Sequence, residues 1–220
     1  MKRRNFILNS SIISASLIAP ISISGCSFNR NIQKNIIGIQ LYSVRDEMSK
    51  NPKETLTKIA SYGYKYVEGY EGSLGLFWGM TNLEFKKFLD DLGLTMISSH
   101  CGDTNNLESF NKKSYEASEI GMKHLICPWA EGDRTIDQFK RNAEIFNKCG
   151  EISRQNEMKF AYHNHDYSFK KVEGEYLQDV LMTNTDTNLV DYEMDIYWVV
   201  AAGEDPIKWF NKYPDRFNYC

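Results

Sequence analysis

Between residues 36 and 220, short apolar runs alternate with longer amphipathic ones, and this alternation restricts the folds open to the chain more than any other feature. The apolar runs are IIGIQLY (36–42), YKYVEGY (64–70), LTMISSH (94–100), KHLICPW (123–129), MKFAYHN (158–164) and NLVDYEMDI (188–196), with RFNYC (216–220) opening a seventh. Helical runs separate them. Asn51 caps the first, Pro52 takes its first position and Gly63 stops it. The second (81–93) has Thr81 and Glu84 at capping-box spacing and Gly93 as its stop. Further helices are expected over 107–121, over 133–157 (opening at Asp133 or Thr135), near 175–184, and from Asp205-Pro206 to about Lys212.

Crossovers of this length demand parallel strands with right-handed connections. That leaves an open doubly wound sheet or a (β/α)8 TIM barrel. A dinucleotide-binding sheet needs G-x-G-x-x-G after its first strand, and none is present. Polar residues instead gather at strand C-terminal ends: Glu68, His100, Trp129, His163, His165, Asp195 and Trp198. In a barrel these ends meet at one mouth, where chemistry is carried out. The expected fold is therefore an α/β TIM barrel. Six full units and the start of a seventh fall short of the roughly 250 residues of an eight-stranded barrel. The expectation is a barrel truncated after about six and a half βα units.

The chain opens MKRRNFILNSSIISASLIAPISISGCSF. Lys2, Arg3 and Arg4 precede an apolar, serine-containing stretch over 6–23 that is interrupted by Asn9 and Pro20, which suits a removable export signal better than a permanent span. Arg3-Arg4 also fits a twin-arginine signal. Ile23-Ser24-Gly25-Cys26 resembles a bacterial lipobox with Cys26 as the lipidated residue; the alternative is a plain signal followed by a cysteine. The expected organisation is a signal over 1–26, a polar tether over 27–35 and the barrel domain over 36–220. The mature protein would be an exported periplasmic lipoprotein that touches the membrane only through its lipid anchor.

Cys101, Cys127, Cys149 and Cys220 show no C-x-x-C spacing, so a metal-thiolate site is not expected; a Cys101–Cys127 disulfide is left open. The formal net charge is −3, with 26 basic and 29 acidic residues and no basic stripe, which argues against nucleic acid as a partner.

Two stretches carry the chemistry. In FAYHNHDYSF (160–169), strand alternation puts His163 and His165 on one face with Asn164 on the other. Such a pair can converge on a divalent ion or on sugar hydroxyls, or can close the barrel top as hydrogen-bonded structural histidines. In DYEMDIYW (191–198), Asp191, Glu193 and Asp195 share a face. Three inward carboxylates repel one another unless a cation or donors meet them. Asp195, nearest the mouth, is the best metal ligand, whereas Glu193 is expected as a buried, hydrogen-bonded layer residue. Trp198 is either a wall for a sugar ring or core. Glu68 and His100 are candidates for proton transfer or hydroxyl binding.

The chain resembles the sugar phosphate isomerase/epimerase family of the xylose isomerase-like TIM barrel superfamily, through IGIQLYSVRDEM, GYKYVEGY, SSHCG, YHNHDYSF and EMDIYWVVAAGEDPIKWFNKYPDRF. The resemblance implies a metal-dependent sugar isomerase or epimerase acting through a cis-enediolate on a small carbohydrate. It also implies a divalent cofactor (Mn, Zn, Mg or Co) held at the mouth by residues of the last four strands. Asp195 matches the sixth-strand aspartate ligand, and Trp198 stands where relatives place a substrate-binding histidine. Ser168 falls where many relatives have Glu, and the seventh-strand His and eighth-strand Glu have no counterpart, so weak metal binding is expected. The resulting assignment is His165 and Asp195 to the metal, Glu68 and His163 to catalysis, and His100 and Trp198 to substrate. Two alternatives stand beside it: an exported metal-dependent keto-glycoside lyase or hydratase, and a catalytically inactive fragment or sugar-binding remnant. The superfold also hosts apurinic DNA endonucleases, a reading opposed by export and by the lack of basic residues.

Overall fold

The computed structural model describes residues 38–220; the expected signal, Cys26 and the tether lie outside the described residues. Seven strands form one sheet: β1 (Gly38–Gln40), β2 (Tyr66–Tyr70), β3 (Thr95–His100), β4 (His124–Cys127), β5 (Lys159–His163), β8 (Val190–Glu193) and β9 (Phe217–Tyr219). All neighbours are parallel, and the spatial order follows the chain order. A doubly wound sheet reverses direction at a switch point, whereas a TIM barrel does not. This sheet has no reversal, and its architecture is that of the TIM barrel. A two-residue-per-strand hairpin, β6 (Lys171–Val172) with β7 (Glu175–Tyr176), interrupts the rhythm after β5.

The helices lie where their caps place them. In α2 (Pro52–Ser61) the Asn51 side chain accepts from the Glu54 amide, and Gly63 beyond its end has φ +91°. For α3 (Asn82–Leu92) both arms of the Thr81–Glu84 capping box form, and Gly93 closes the helix in the left-handed region. Next come α4 (Leu107–Glu119), α5 (Ile136–Gln155, capped by Thr135), α6 (Leu177–Asn184) and α8 (Pro206–Lys212).

Two short helices have no counterpart in the sequence reading. The first, α1 (Arg45–Lys50), follows a 3-10 turn over Leu41–Val44; the second, α7 (Ile196–Ala201), starts where strand was expected to run on to residue 196. The strand stops at Glu193 because the Asp195 carboxylate accepts from the Trp198 amide and caps a new helix.

The core is aromatic. Phe110, Phe139, Phe146, Phe160 and Tyr162 are buried between α4, α5 and β5, with Phe146 stacked on Tyr162 at 5.2 Å between ring centres. Cys101, Cys127 and Cys149 are buried free thiols, so no Cys101–Cys127 disulfide forms. No described helix is long and apolar enough to cross a membrane.

Gly150 sets how closely α5 approaches the sheet. A Cβ built there would lie 2.5 Å from the Leu189 carbonyl oxygen and 2.8 Å from the Leu189 Cβ, just before β8. Backbone cannot swing aside as a side chain can, so Gly150→Ala is expected to destabilise the protein by about 1–3 kcal/mol. A lower urea midpoint at unchanged m-value would show it.

Candidate active site

Parallel register brings the strand C-terminal ends into one cleft of about 1010 Å³. At its floor are Glu68 from β2, His100 from β3, His163 from β5 and Glu193 from β8, with Asp195 just beyond. His100 Nε2 lies 2.8 Å from Glu193 Oε2 and 3.5 Å from Glu68 Oε1. Ser98 donates its hydroxyl to Glu68 Oε2 at 2.5 Å. His163 Nε2 is 3.2 Å from Asp195 Oδ2, and the rings of His100 and His163 are 4.9 Å apart.

Asp195 serves two partners. Its Oδ1 accepts from the Trp198 amide, which fixes the start of α7, and its Oδ2 faces His163. Asn164 holds the residue in place: its side-chain carbonyl accepts from the Asp195 amide and its side-chain NH2 donates to the Asp195 carbonyl, both at 3.1 Å.

The electrostatics follow from burial. Desolvation and the neighbouring Glu193 charge push Glu68 up to about 7. Desolvation also raises Glu193, aided by Asp195. Burial brings His100 down to about 4 and His165 down to about 4, the latter helped by His163. Burial also works against a charged His163, but the Asp195 hydrogen bond and the charges of Glu193, Asp195 and Glu68 outweigh it and raise that group. At Asp195 the His163 contact and the α7 amides overcome desolvation and lower the carboxylate.

Among the described residues, ligand atoms from His100, His163 and Glu193 all lie within 4.8 Å of one another. Two imidazoles and a carboxylate suit a borderline divalent ion. His163 Nδ1 is buried without a hydrogen-bond partner, and the basic groups that face Glu68, Glu193 and Asp195 are the imidazoles of His100 and His163. The donor set fits a divalent cation.

The sequence-derived residues meet here with some changes of place. Glu68, His100, His163 and Asp195 sit together. His165 stands one step outward, its ring 4.9 Å from that of His163 and 5.2 Å from that of Trp198. Glu193, expected only as a layer residue, is buried and hydrogen-bonded but also lies in the convergent group. Ser168 is buried against the Tyr162 hydroxyl at 3.0 Å and does not line the cleft. Asp191 shares the inward face of β8 but lies at the opposite end of the barrel. There it meets His124 Nε2 at 2.7 Å and Lys159 Nζ at 3.1 Å, while Tyr219 is 2.9 Å from His124 Nδ1. No local sequence signal links His124 to Asp191.

No family model matches the chain. Inosose dehydratase of Lacticaseibacillus casei is 34% identical over 85 residues, 39% of this chain and 28% of that protein. Inosose dehydratase of Clostridium botulinum is 34% identical over 118 residues, 51% of this chain and 39% of that protein. The matches thus span about a quarter to two fifths of these curated relatives. Among solved structures, a sugar phosphate isomerase/epimerase from Parabacteroides distasonis superposes with a TM-score of 0.74 at 28% identity, covering 82% of this chain and 76% of that one. D-psicose 3-epimerase in the presence of D-fructose gives a TM-score of 0.63 at 13% identity, with 83% and 71% covered, a likeness of fold alone.

The raised Glu68 has a measurable consequence. A glutamate of ordinary value 4.5 held at about 7 keeps a proton that the unfolded chain releases. Relative to a Glu68→Gln variant, the protein should lose stability as pH rises from 4.5 to 7, by up to about 1.4 kcal/mol per pH unit. His100 and His165 act in the opposite sense. Below 6.5 the unfolded chain takes protons that the folded one refuses until about 4, so their contribution grows across that window. Metal-free denaturation of both proteins from pH 4 to 8 gives, as their difference, the contribution of Glu68 together with its coupling to His100 and Glu193; a flat difference refutes the raised Glu68.

Proposed function

We propose, for a chain similar to sugar phosphate isomerase/epimerase proteins of xylose isomerase-like TIM barrel fold, that the cleft moves a proton between adjacent carbons of a small carbohydrate, through a cis-enediolate. The observation that carries this reading is the convergence of His100, His163 and Glu193 beside a glutamate poised near neutrality. His100, His163 and Glu193 would hold a divalent cation, with Asp195 beside them. When bound, such an ion supplies Lewis acidity that makes the carbon next to a carbonyl easier to deprotonate.

The protein groups divide the remaining work. Glu68, with an affinity for protons that matches neutral pH, can take a proton from carbon and give one back. Ser98 fixes one of its oxygens and leaves the other toward His100. Before a cation binds, His100 Nε2 and Glu193 Oε2 hold each other in place at 2.8 Å, a contact that the ion would replace by taking both as ligands. Asp195 accepts from His163 Nε2 and so orients that ring, leaving its Nδ1 free. Return of the proton to the same carbon from the opposite face gives epimerisation, and return to the neighbouring carbon gives isomerisation.

The curated relatives support a second reading, dehydration, because the same deprotonated sugar can expel a β-hydroxyl as water. Inosose and free ketoses separate the two outcomes: a product lighter by one water marks elimination, and an isomeric product marks proton return. The chain's export as a Cys26-anchored lipoprotein belongs to the same proposal. Cys26→Ser should release the protein from the membrane fraction, and retention there would refute the anchor.

The decisive measurement is exchange of a ketose α-proton with deuterium oxide in the presence of Mn or Co. Exchange is expected with the intact chain and should vanish with a chelator. It should fall by about 10²–10⁴-fold in Glu68→Gln, and divalent-metal affinity measured by calorimetry should fall in Glu193→Gln. Sugar binding without exchange, and without metal affinity, would identify a binding protein instead.

A further inference from the structure

Beyond the floor of the cleft stands an aromatic platform that proton transfer on a single sugar ring does not use. The His163 ring lies 4.9 Å from His165, and the rings of Trp129 and Trp198 lie 4.9 and 5.2 Å from His165. Tyr197 extends the surface, 5.0 Å from Trp198. The platform therefore starts one ring step beyond His163 of the convergent group. Trp129 is 46% exposed and Tyr197 69%, although both face the cleft.

An exposed indole normally gains little from being held still, yet Trp129 is braced. The Arg134 guanidinium packs 4.9 Å from the Trp129 ring and 3.8 Å from the Tyr167 ring. One of its nitrogens donates to the carbonyls of Ala130 at 2.7 Å and Gly132 at 2.9 Å, which ties down the loop that carries Trp129. Tyr167 stacks on His165 at an interplanar angle of 5°, and its hydroxyl accepts from the Ala130 amide. Platform and loop thus form one rigid unit, and a preformed surface binds without the cost of ordering it.

Charge narrows the ligand. Glu68, Glu71, Glu193 and Asp195 line the cleft, Lys113 is taken up by Glu71 at 2.9 Å, and Arg134 is taken up by the Ala130 and Gly132 carbonyls. Neither cation is left to pair a phosphate. Aromatic faces carry negative quadrupole charge and attract polarised C–H groups, which line the apolar faces of an uncharged sugar ring. We infer that Trp129, Trp198 and Tyr197, braced by Arg134, form a second subsite for the neighbouring ring of an uncharged glycoside, with the reacting ring over His100, His163 and Glu193. The inference rests on the reading of the floor as the reacting site, and it narrows the substrate from a small carbohydrate to a two-ring, unphosphorylated one.

The test is binding of glucose, glucose 6-phosphate, cellobiose and maltose to the full chain, by calorimetry and tryptophan fluorescence, with Mn and again with chelator. At least one disaccharide should bind ten-fold or more tighter than glucose, and glucose 6-phosphate more weakly than glucose. Trp129→Ala should bring the disaccharide-to-glucose ratio close to one, and Arg134→Lys should reduce it. Tyr115→Ala, an exposed aromatic on α4 away from the cleft, should leave the ratio unchanged. Equal affinities for one and two rings, or a ratio insensitive to Trp129→Ala, would overturn the subsite. Disaccharide preference without deuterium exchange would keep the subsite and remove the isomerase reading; exchange without preference would do the reverse.

Discussion

A carboxylate that points into a barrel must find a partner there, and in this protein each inward acid of β8 finds a histidine. Asp191 meets His124, Glu193 meets His100 and Asp195 meets His163. Each pair joins β8, or the residues just after it, to a different strand: His163 on the neighbouring β5, His124 on β4 and His100 on β3. Removing one partner leaves a buried polar group without its hydrogen bond, which typically costs about 1–3 kcal/mol. The alternating acids of DYEMD are tolerable only because β3, β4 and β5 each present an imidazole at the matching depth. Fold and site therefore share one set of contacts.

The three pairs differ in what they leave spare. At the N-terminal end of the strands, His124 has both ring nitrogens engaged, by Asp191 and Tyr219, and Lys159 adds a cation. That end reads as structural, in keeping with the division of labour in barrels. At the mouth the balance is incomplete. His163 keeps an unpartnered nitrogen, Glu68 and Glu193 are both held above their ordinary range, and the basic groups facing them are the imidazoles of His100 and His163. Incomplete compensation in a cleft is what a reactive site requires.

Much of this was legible in the residues. Caps at Asn51, Thr81 and Thr135 and stops at Gly63 and Gly93 placed the helices within a few residues, because those signals are local. Strand-end chemistry located Glu68, His100, His163 and Asp195 for the same reason. The short helix α7 was hidden because Asp195 is both cap and site residue, and the chemical reading masked the structural one. Glu193 and His124 were missed as partners because strand alternation tells which face a side chain occupies but not what stands at the same height on another strand. That pairing depends on register, which emerges only once the sheet has formed.

The reciprocal clasp between Asn164 and Asp195 has a further consequence for the stretch that separates them. A carboxamide that mimics a peptide group on both its edges welds the end of β5 to the segment after β8. The position of the acid is thus held by this weld together with the pairing of β8 on β5. The hairpin of β6 and β7 and the exposed turn at Glu173-Gly174 can then be lengthened, trimmed or exchanged as a cassette. The barrel can vary its outer architecture there while the reacting geometry stays fixed.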